Sequence, residues 1–310
     1  MSSSQIGLAA LFAFALFQGV RDALFGNVFQ SVSFLLVAIL AFGASSILFL
    51  GIAAVRYPRD FPLLAAFPGK VLWINVSTAA AWLGFLYALR HLEPAVVATL
   101  YNGAGPVTII LIALFGGTTK QDRLSLGEVT AYAGLAAALA GLMVVVMLDA
   151  SGLAGGDPWV QASALAGAFI GGVFITASYL TTRQINDAGV STEGALGASF
   201  LLTLLIAAAL EFSIGDPAMR PEIGNGVWLT VVAFILIVFP ALLVRIGVKR
   251  SSPLAANVFR TLGPVCVFAV QQLDGRLHFS GATLACVIAF CVCSIIASGL
   301  RFWGERNEAA

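Results

Sequence analysis

Thr99-Leu100-Tyr101-Asn102-Gly103-Ala104-Gly105-Pro106-Val107 is nearly repeated as Asn257-Val258-Phe259-Arg260-Thr261-Leu262-Gly263-Pro264-Val265. The offset from Thr99 to Asn257 is 158 residues, and it is the same from Pro106 to Pro264, about half of the 310-residue chain. Each copy lies within a long apolar segment and opens shortly after a proline, Pro94 or Pro253. Two similar apolar halves are the sequence form of a membrane carrier whose site lies at the interface of the repeats.

The bulk composition agrees. Hydrophobic residues make up 60% of the chain and charged residues 10%, with a mean hydropathy of +0.98. A soluble domain carries roughly 25% charged residues, so this chain has too little polar surface to meet water all round. Its natural partner is a lipid bilayer. A net charge of +1 leaves no basic stripe to neutralise phosphates, which argues against nucleic acid. The start, Met1-Ser2-Ser3-Ser4-Gln5, lacks the basic residues of a signal peptide, so the first apolar segment is expected to be retained. Cys266, Cys286, Cys291 and Cys293 fall in late apolar segments and read as small buried hydrophobes. No metal site and no cofactor is expected.

Apolar runs of about 20 residues, the length that crosses a bilayer as helix, are read at 5–25, 32–53, 71–90, 94–116, 126–148, 160–182, 194–213, 226–247, 253–273 and 279–300. Turn-forming or charged clusters such as Arg56-Tyr57-Pro58-Arg59-Asp60, Gly155-Gly156-Asp157-Pro158 and Gly215-Asp216-Pro217 separate them. The expected fold is an all-α integral membrane protein of ten transmembrane helices. Residues 1–150 form the first five-helix repeat and 157–303 the second.

Basic residues orient it. With both termini cytoplasmic, Arg56, Arg59, Lys70, Lys120, Arg123, Arg183, Arg245, Lys249, Arg250, Arg301 and Arg306 lie inside, and only Arg90, Arg220 and Arg276 outside. An odd number of helices per half makes the second half enter the membrane upside down. The repeated phrases fall in the fourth and ninth helices, which run in opposite directions. Asn102 and Arg260 are equivalent, each about eight residues into its helix and so about 12 Å deep. They flank the bilayer midplane, where inverted-repeat carriers place their substrate.

The chain resembles the drug/metabolite transporter superfamily, specifically the EamA-type carriers with ten helices in two five-helix repeats. The resemblance rests on Phe85-Leu86-Tyr87-Ala88-Leu89-Arg90-His91-Leu92-Glu93-Pro94-Ala95, which is similar to the family's junction between helices three and four. It rests also on Gly105-Pro106-Val107 and Gly263-Pro264-Val265, where the family has recurrent prolines. Family halves often end helix four or nine with a Gly-Glu pair. Here those places read Phe115-Gly116-Gly117-Thr118-Thr119-Lys120 and Gln271-Gln272-Leu273-Asp274-Gly275-Arg276. The resemblance implies a bacterial inner (plasma) membrane protein that exports amino acids, related metabolites or drugs.

Arg260 is the sharpest candidate for substrate contact. An arginine at this depth costs about 2.5–3.5 kcal/mol on insertion scales, so it should face the interior and have a partner. It reads as a clamp for a carboxylate, or as a structural arginine that pairs with a buried acid or caps carbonyls freed at Pro264. Asn257, Arg260 with Thr261, Pro264, Phe268 and Gln271 with Gln272 recur at helical steps along one stripe. Helix one carries Phe14, Gln18, Arg21 and Phe25, with Asp22 beside them. Arg21 and Asp22 read as an outer gate or a proton-binding pair, or as charges marking a helix end. Asn75, Trp82, Tyr101 and Tyr179 supply the aromatic and amide surface that suits an amphipathic small molecule. Pro106 and Pro264, with Gly105 and Gly263, are candidate hinges that should bend their helices near the midplane. Gly167 and Gly171 form a GxxxG step for close helix packing.

No metalloprotease, nucleophile-elbow, paired-carboxylate or phosphate-loop motif is present, and His91 and His278 fall in short connections. An enzyme is therefore not expected. The reading is a secondary transporter working by alternating access, most simply an exporter of amino acids or related small metabolites. An exporter of an amino-acid-derived secondary metabolite such as a metallophore, an uptake carrier for a cationic small molecule, and a membrane-embedded receptor or scaffold stay open. A second copy of the chain, as a homodimer, is allowed.

Overall fold

In lipid every backbone N–H and C=O must find its partner within the chain, and helices do this segment by segment. The computed structural model follows that rule. It describes residues 3–115, 125–153, 155–221, 223–251, 255, 258–259 and 261–308, and among these all regular structure is helical. The helices are α1 (Ser3–Val28), α2 (Phe34–Arg56), α3 (Asp60–Ala66), α4 (Pro68–His91), α5 (Pro94–Phe115) and α6 (Leu126–Met147). They continue as α7 (Pro158–Asp187), α8 (Thr192–Ser199), α9 (Leu201–Ile214), α10 (Ile223–Arg250), α11 (Gly263–Gln271) and α12 (Gly281–Glu308). Proline opens α4, α5 and α7, where its fixed φ suits the first turn and its missing N–H leaves nothing unsatisfied. Ser125 and Glu128 close a capping box on α6, and Asp157 caps α7 through Trp159 N and Val160 N.

Seven helical spans among the described residues are long and apolar enough to cross a bilayer: Gln5–Val28, Phe34–Arg56, Pro68–His91, Leu126–Met147, Pro158–Asp187, Thr192–Ile214 and Gly281–Gly304. Large apolar side chains line the surface as well as the core. Val55, Leu126, Trp159, Phe212 and Leu273 stand well exposed, while Phe25, Phe29, Phe42, Phe85 and Phe290 are fully buried. A helical bundle that is apolar on both sides has lipid for its solvent. The protein is a multi-pass integral membrane protein.

The helices differ from the sequence-read spans in three instructive ways. α7 runs to Asp187, several residues beyond the apolar stretch, because its last turns are polar yet still helical. The short helix α3 lies between spans, where Arg56 to Asp60 reads only as a turn. The span read at 194–213 is divided at Phe200 into α8 and α9. There the Asn75 side chain of α4 accepts from Leu202 N at 3.0 Å. A tertiary contact thus makes good a backbone donor that the break would strand.

Packing is pairwise. α4 packs along α7 and α1 along α10; α5 meets α7 and α11 meets α1; α2 lies against α8 and α9, and α6 against α12. α5 and α11, which carry the two Gly-Pro-Val phrases, also touch each other. The GxxxG step is used inside the molecule. A Cβ on Gly84 would stand 2.7 Å from the carbonyl oxygen of Gly167, and one on Gly171 would stand 2.9 Å from that of Ala81. At one end of the bundle the Glu93 carboxylate draws together Gly152, Gln271 and Thr283. At the other end Asp60 accepts from Ser191 N at 3.1 Å and from the Ser191 hydroxyl.

Candidate functional site

In a bundle this poor in charge, each buried ionisable group needs a reason. Arg21 and Asp22 lie roughly two turns before the end of α1. They are 9% and 0% exposed. Arg21 Nε donates to Asp22 Oδ1 at 2.7 Å. The guanidinium carbon of Arg21 stands 5.6 Å from the Trp82 ring centre and 5.5 Å from that of Phe85, both on α4. Cation–π contacts of this kind contribute about 0.5–2 kcal/mol each, more where water is excluded. The Phe85 ring in turn lies 4.7 Å from Tyr101 on α5 and 5.9 Å from Trp82. Gln18, one turn earlier on α1, also approaches the Asp22 carboxylate. Tyr101 lies within electrostatic range of Arg21, Asp22 and Tyr179. Side chains from α1, α4, α5 and α7 therefore converge on one charged and aromatic cluster.

Two atoms of this cluster are left over. Asp22 Oδ2 and Tyr101 Oη are buried and have no hydrogen-bond partner among the described residues. A buried polar atom without a partner costs about 1–3 kcal/mol, and more when it is charged. Such atoms in a native fold call for an explanation, and function is a leading one.

The structure distributes the sequence-read candidates over several settings. Arg21, Asp22, Trp82 and Tyr101 come together as above. Tyr179 lies at the edge of this cluster, 55% exposed. Arg260 and Asn257 lie outside the described residues. Asn102 is half-buried, and its Nδ2 donates to Ala98 O one turn back at 2.8 Å. Asn75 is occupied at both ends, with Nδ2 on Val71 O and Oδ1 on Leu202 N. Thr261 is buried against α12, its hydroxyl 3.2 Å from that of Ser294. Gln271 is fully buried at the bundle end: it donates to Glu93 Oε1 at 2.5 Å and accepts from Ala95 N at 2.8 Å.

The hinge candidates divide as well. Pro106 sits inside the uninterrupted helix α5, whereas Pro264 is the second residue of α11, after a turn at Leu262. Gly105 packs on the Thr176 hydroxyl and Gly263 on the Gln18 amide; a Cβ would stand 2.9 Å and 3.0 Å away respectively.

Sequence reasoning missed Phe85 and Glu93. Phe85 is one of 23 phenylalanines and nothing in its spacing sets it apart. Glu93 could have been noticed, since it is a lone acid directly before the proline that opens a long apolar segment. In the structure it is 1% exposed, with Oε2 accepting from Gly152 N at 2.7 Å and from the Thr283 hydroxyl at 3.0 Å. Burial lifts its carboxyl above the ordinary carboxylate range, and the hydrogen bonds from Gly152, Gln271 and Thr283 only partly offset that.

No family model matches the chain, and no curated protein matches it. A solved structure described only as "Crystal structure of protein" is similar at 22% identity, covering 96% of this chain and 96% of that one, with a TM-score of 0.62. At that identity the likeness speaks for the fold alone.

Proposed function

We propose that the chain is a secondary membrane transporter of the EamA type in the drug/metabolite transporter superfamily, exporting amino acids or related small metabolites by alternating access. On this reading ten helices form two inverted five-helix repeats, residues 1–150 and 157–303. Both termini face the cytoplasm of a bacterial cell. The central site includes the Arg21, Asp22, Trp82 and Tyr101 cluster together with Asn102 and Arg260, and Pro106 and Pro264 act as hinges.

The observation that carries this reading is that the packing pairs up under the sequence offset. The 158 residues that separate Gly105 from Gly263 also separate Gln18 from Thr176, and each glycine packs on the other half's polar residue: Gly105 on Thr176, Gly263 on Gln18. Exchange of halves also relates α4 on α7 to α10 on α1, and α5 on α7 to α11 on α1. Glycines mark both crossings, though not at the 158-residue offset: Gly84 meets Gly167 where α4 crosses α7, and Gly247 meets Leu11 and the Gly7 carbonyl where α10 crosses α1. Each half lends helices to the other's bundle, the arrangement in which rocking of one repeat against the other opens a site to alternate sides. A receptor or scaffold has no need of it.

The test is counterflow in proteoliposomes. The purified full-length chain, loaded with a mixture of unlabelled amino acids, should accumulate at least one labelled amino acid. No counterflow with amino acids or with amine and carboxylate metabolites of similar size would sink the carrier reading. Reporter fusions at Gly155 and Ala310 should report opposite sides of the membrane. The same side for both would remove the ten-helix inverted repeat. Arg260→Gln should lower transport of a carboxylate substrate more than that of its neutral ester, with Arg260→Lys intermediate. An unchanged preference would take the carboxylate clamp from Arg260.

A further inference from the structure

We infer that Asp22 is a proton-binding site inside the bundle, so that the carrier couples substrate movement to protons; this rests on the transporter reading above. Asp22 is fully buried; its Oδ1 accepts from Arg21 Nε at 2.7 Å, and Gln18, one turn back on α1, approaches the carboxylate. An ionised carboxylate can accept at both oxygens, yet Oδ2 has no partner among the described residues. The ligand that meets a bare, fully buried carboxylate oxygen without needing a cavity is a proton. Once loaded, Oδ2 becomes a donor, and the cluster holds a second unpartnered oxygen, Tyr101 Oη.

The surroundings let the proton come and go. Loading Asp22 removes the countercharge of Arg21, which would be prohibitive for an arginine with no other support. Here the guanidinium lies beside both the Trp82 and Phe85 rings, so it keeps favourable contacts while Asp22 is neutral. Among the described residues, facing groups on neighbouring helices supply no competing acid. α4 presents Trp82 and Phe85, α5 presents Tyr101, and α7 contributes Tyr179. α11 brings Gly263 against Gln18 and the Cys266 carbonyl against Gly19. α10 meets the start of α1, where Arg250 lies on Gly7, far along the helix from Asp22. Among the described residues Asp22 with Arg21 is the one charged pair of the cluster, and its charge changes by one when Asp22 loads.

Two measurements test this on the purified full-length carrier. Infrared difference spectra recorded between about pH 5 and pH 9 should contain the carbonyl stretch of a protonated carboxyl. That band should persist in Glu93→Gln and vanish in Asp22→Asn. A band unchanged in Asp22→Asn, or no titrating carboxyl in that range, overturns the inference. Counterflow of labelled amino acids in proteoliposomes gives the second readout. Wild type should vary at least tenfold with pH, Asp22→Glu should keep a shifted dependence, and Asp22→Asn should lose it at equal folded amount. Flux with the same pH profile in Asp22→Asn overturns proton coupling while leaving the carrier intact. Absence of any flux fails the carrier reading instead, and the infrared result then decides the proton site alone. If Asp22→Asn does not fold, Asp22→Glu and Tyr101→Phe carry the test: an unmoved carboxyl band in both overturns the inference.

Discussion

Two buried carboxylates, Glu93 and Asp22, have opposite surroundings. Glu93 sits between α4 and α5 and is saturated: Gly152 N, Thr283 Oγ1 and Gln271 Nε2 all donate to it, and Gln271 in turn accepts from Ala95 N. The network ties the start of α5 to the end of α11, the start of α12 and the turn after α6. Among the described residues Asp22 has one nearby cation, the Gln18 amide beside it, and one oxygen without a hydrogen-bond partner. A saturated buried network rigidifies a structure, whereas an unsatisfied one stores free energy that a ligand can release. The first carboxylate is built to stay and the second to react.

The largest expected effect breaks the first half of that contrast. Glu93→Ala strands a backbone N–H, a hydroxyl and an amide in a buried place, and should lower unfolding free energy by about 3 kcal/mol. Thermal unfolding of the detergent-solubilised protein measures it. A melting temperature within a degree or two of wild type would mean that the network is dispensable. Asn75→Ala removes the acceptor for Leu202 N at the break between α8 and α9, and should cost about 1–2 kcal/mol in the same measurement.

A smaller effect sharpens the contrast through pH. Because burial raises the Glu93 carboxyl, the folded chain holds a proton that the unfolded chain gives up. Its contribution is complete below the unfolded value of about 4.3 and is lost as pH rises through the raised folded value. The melting temperature of wild type should therefore fall over that window, and Glu93→Gln should flatten the slope. An equal slope in both proteins would assign the pH dependence to another group.

The smallest stability effect belongs to Asp22. Asp22→Asn keeps the shape, and because Arg21 retains its contacts with the Trp82 and Phe85 rings it should lower unfolding free energy by less than about 1 kcal/mol, well short of the roughly 3–5 kcal/mol that losing one partner of a buried pair otherwise costs. A loss as large as that of Glu93→Ala would make the Arg21–Asp22 pair a structural bridge and erase the contrast.

Much of the fold was legible because membrane helices announce themselves. Length and hydropathy alone place α1, α2, α4, α5, α6 and α10 within a few residues, since lipid leaves the backbone no other way to satisfy itself in isolation. Proline marks three helix starts for an equally local reason. The site was legible only in part. The polar residues of helix one stand out against an apolar background, so Arg21 and Asp22 could be named, and Trp82 and Tyr101 with them. Phe85 could not, because its role comes from facing Arg21 and Tyr101 across helix interfaces.

The sequence by itself determined that the chain lives in lipid, where most of its helices begin and end, and that its halves share a phrase at a constant offset. These follow from composition and from contacts within a few residues along the chain. Tertiary structure decided which polar residues are consumed and which are left over. Asn75 and Gln271 look like binding residues in sequence, but their amides are occupied by Leu202 and Val71 in one case, and by Glu93 and Ala95 in the other. Asp22 and Tyr101 look no different in sequence, and their spare oxygens emerge only when four helices close around them. The physical reason is that hydrogen-bond satisfaction is settled between segments distant along the chain, and no local pattern records it.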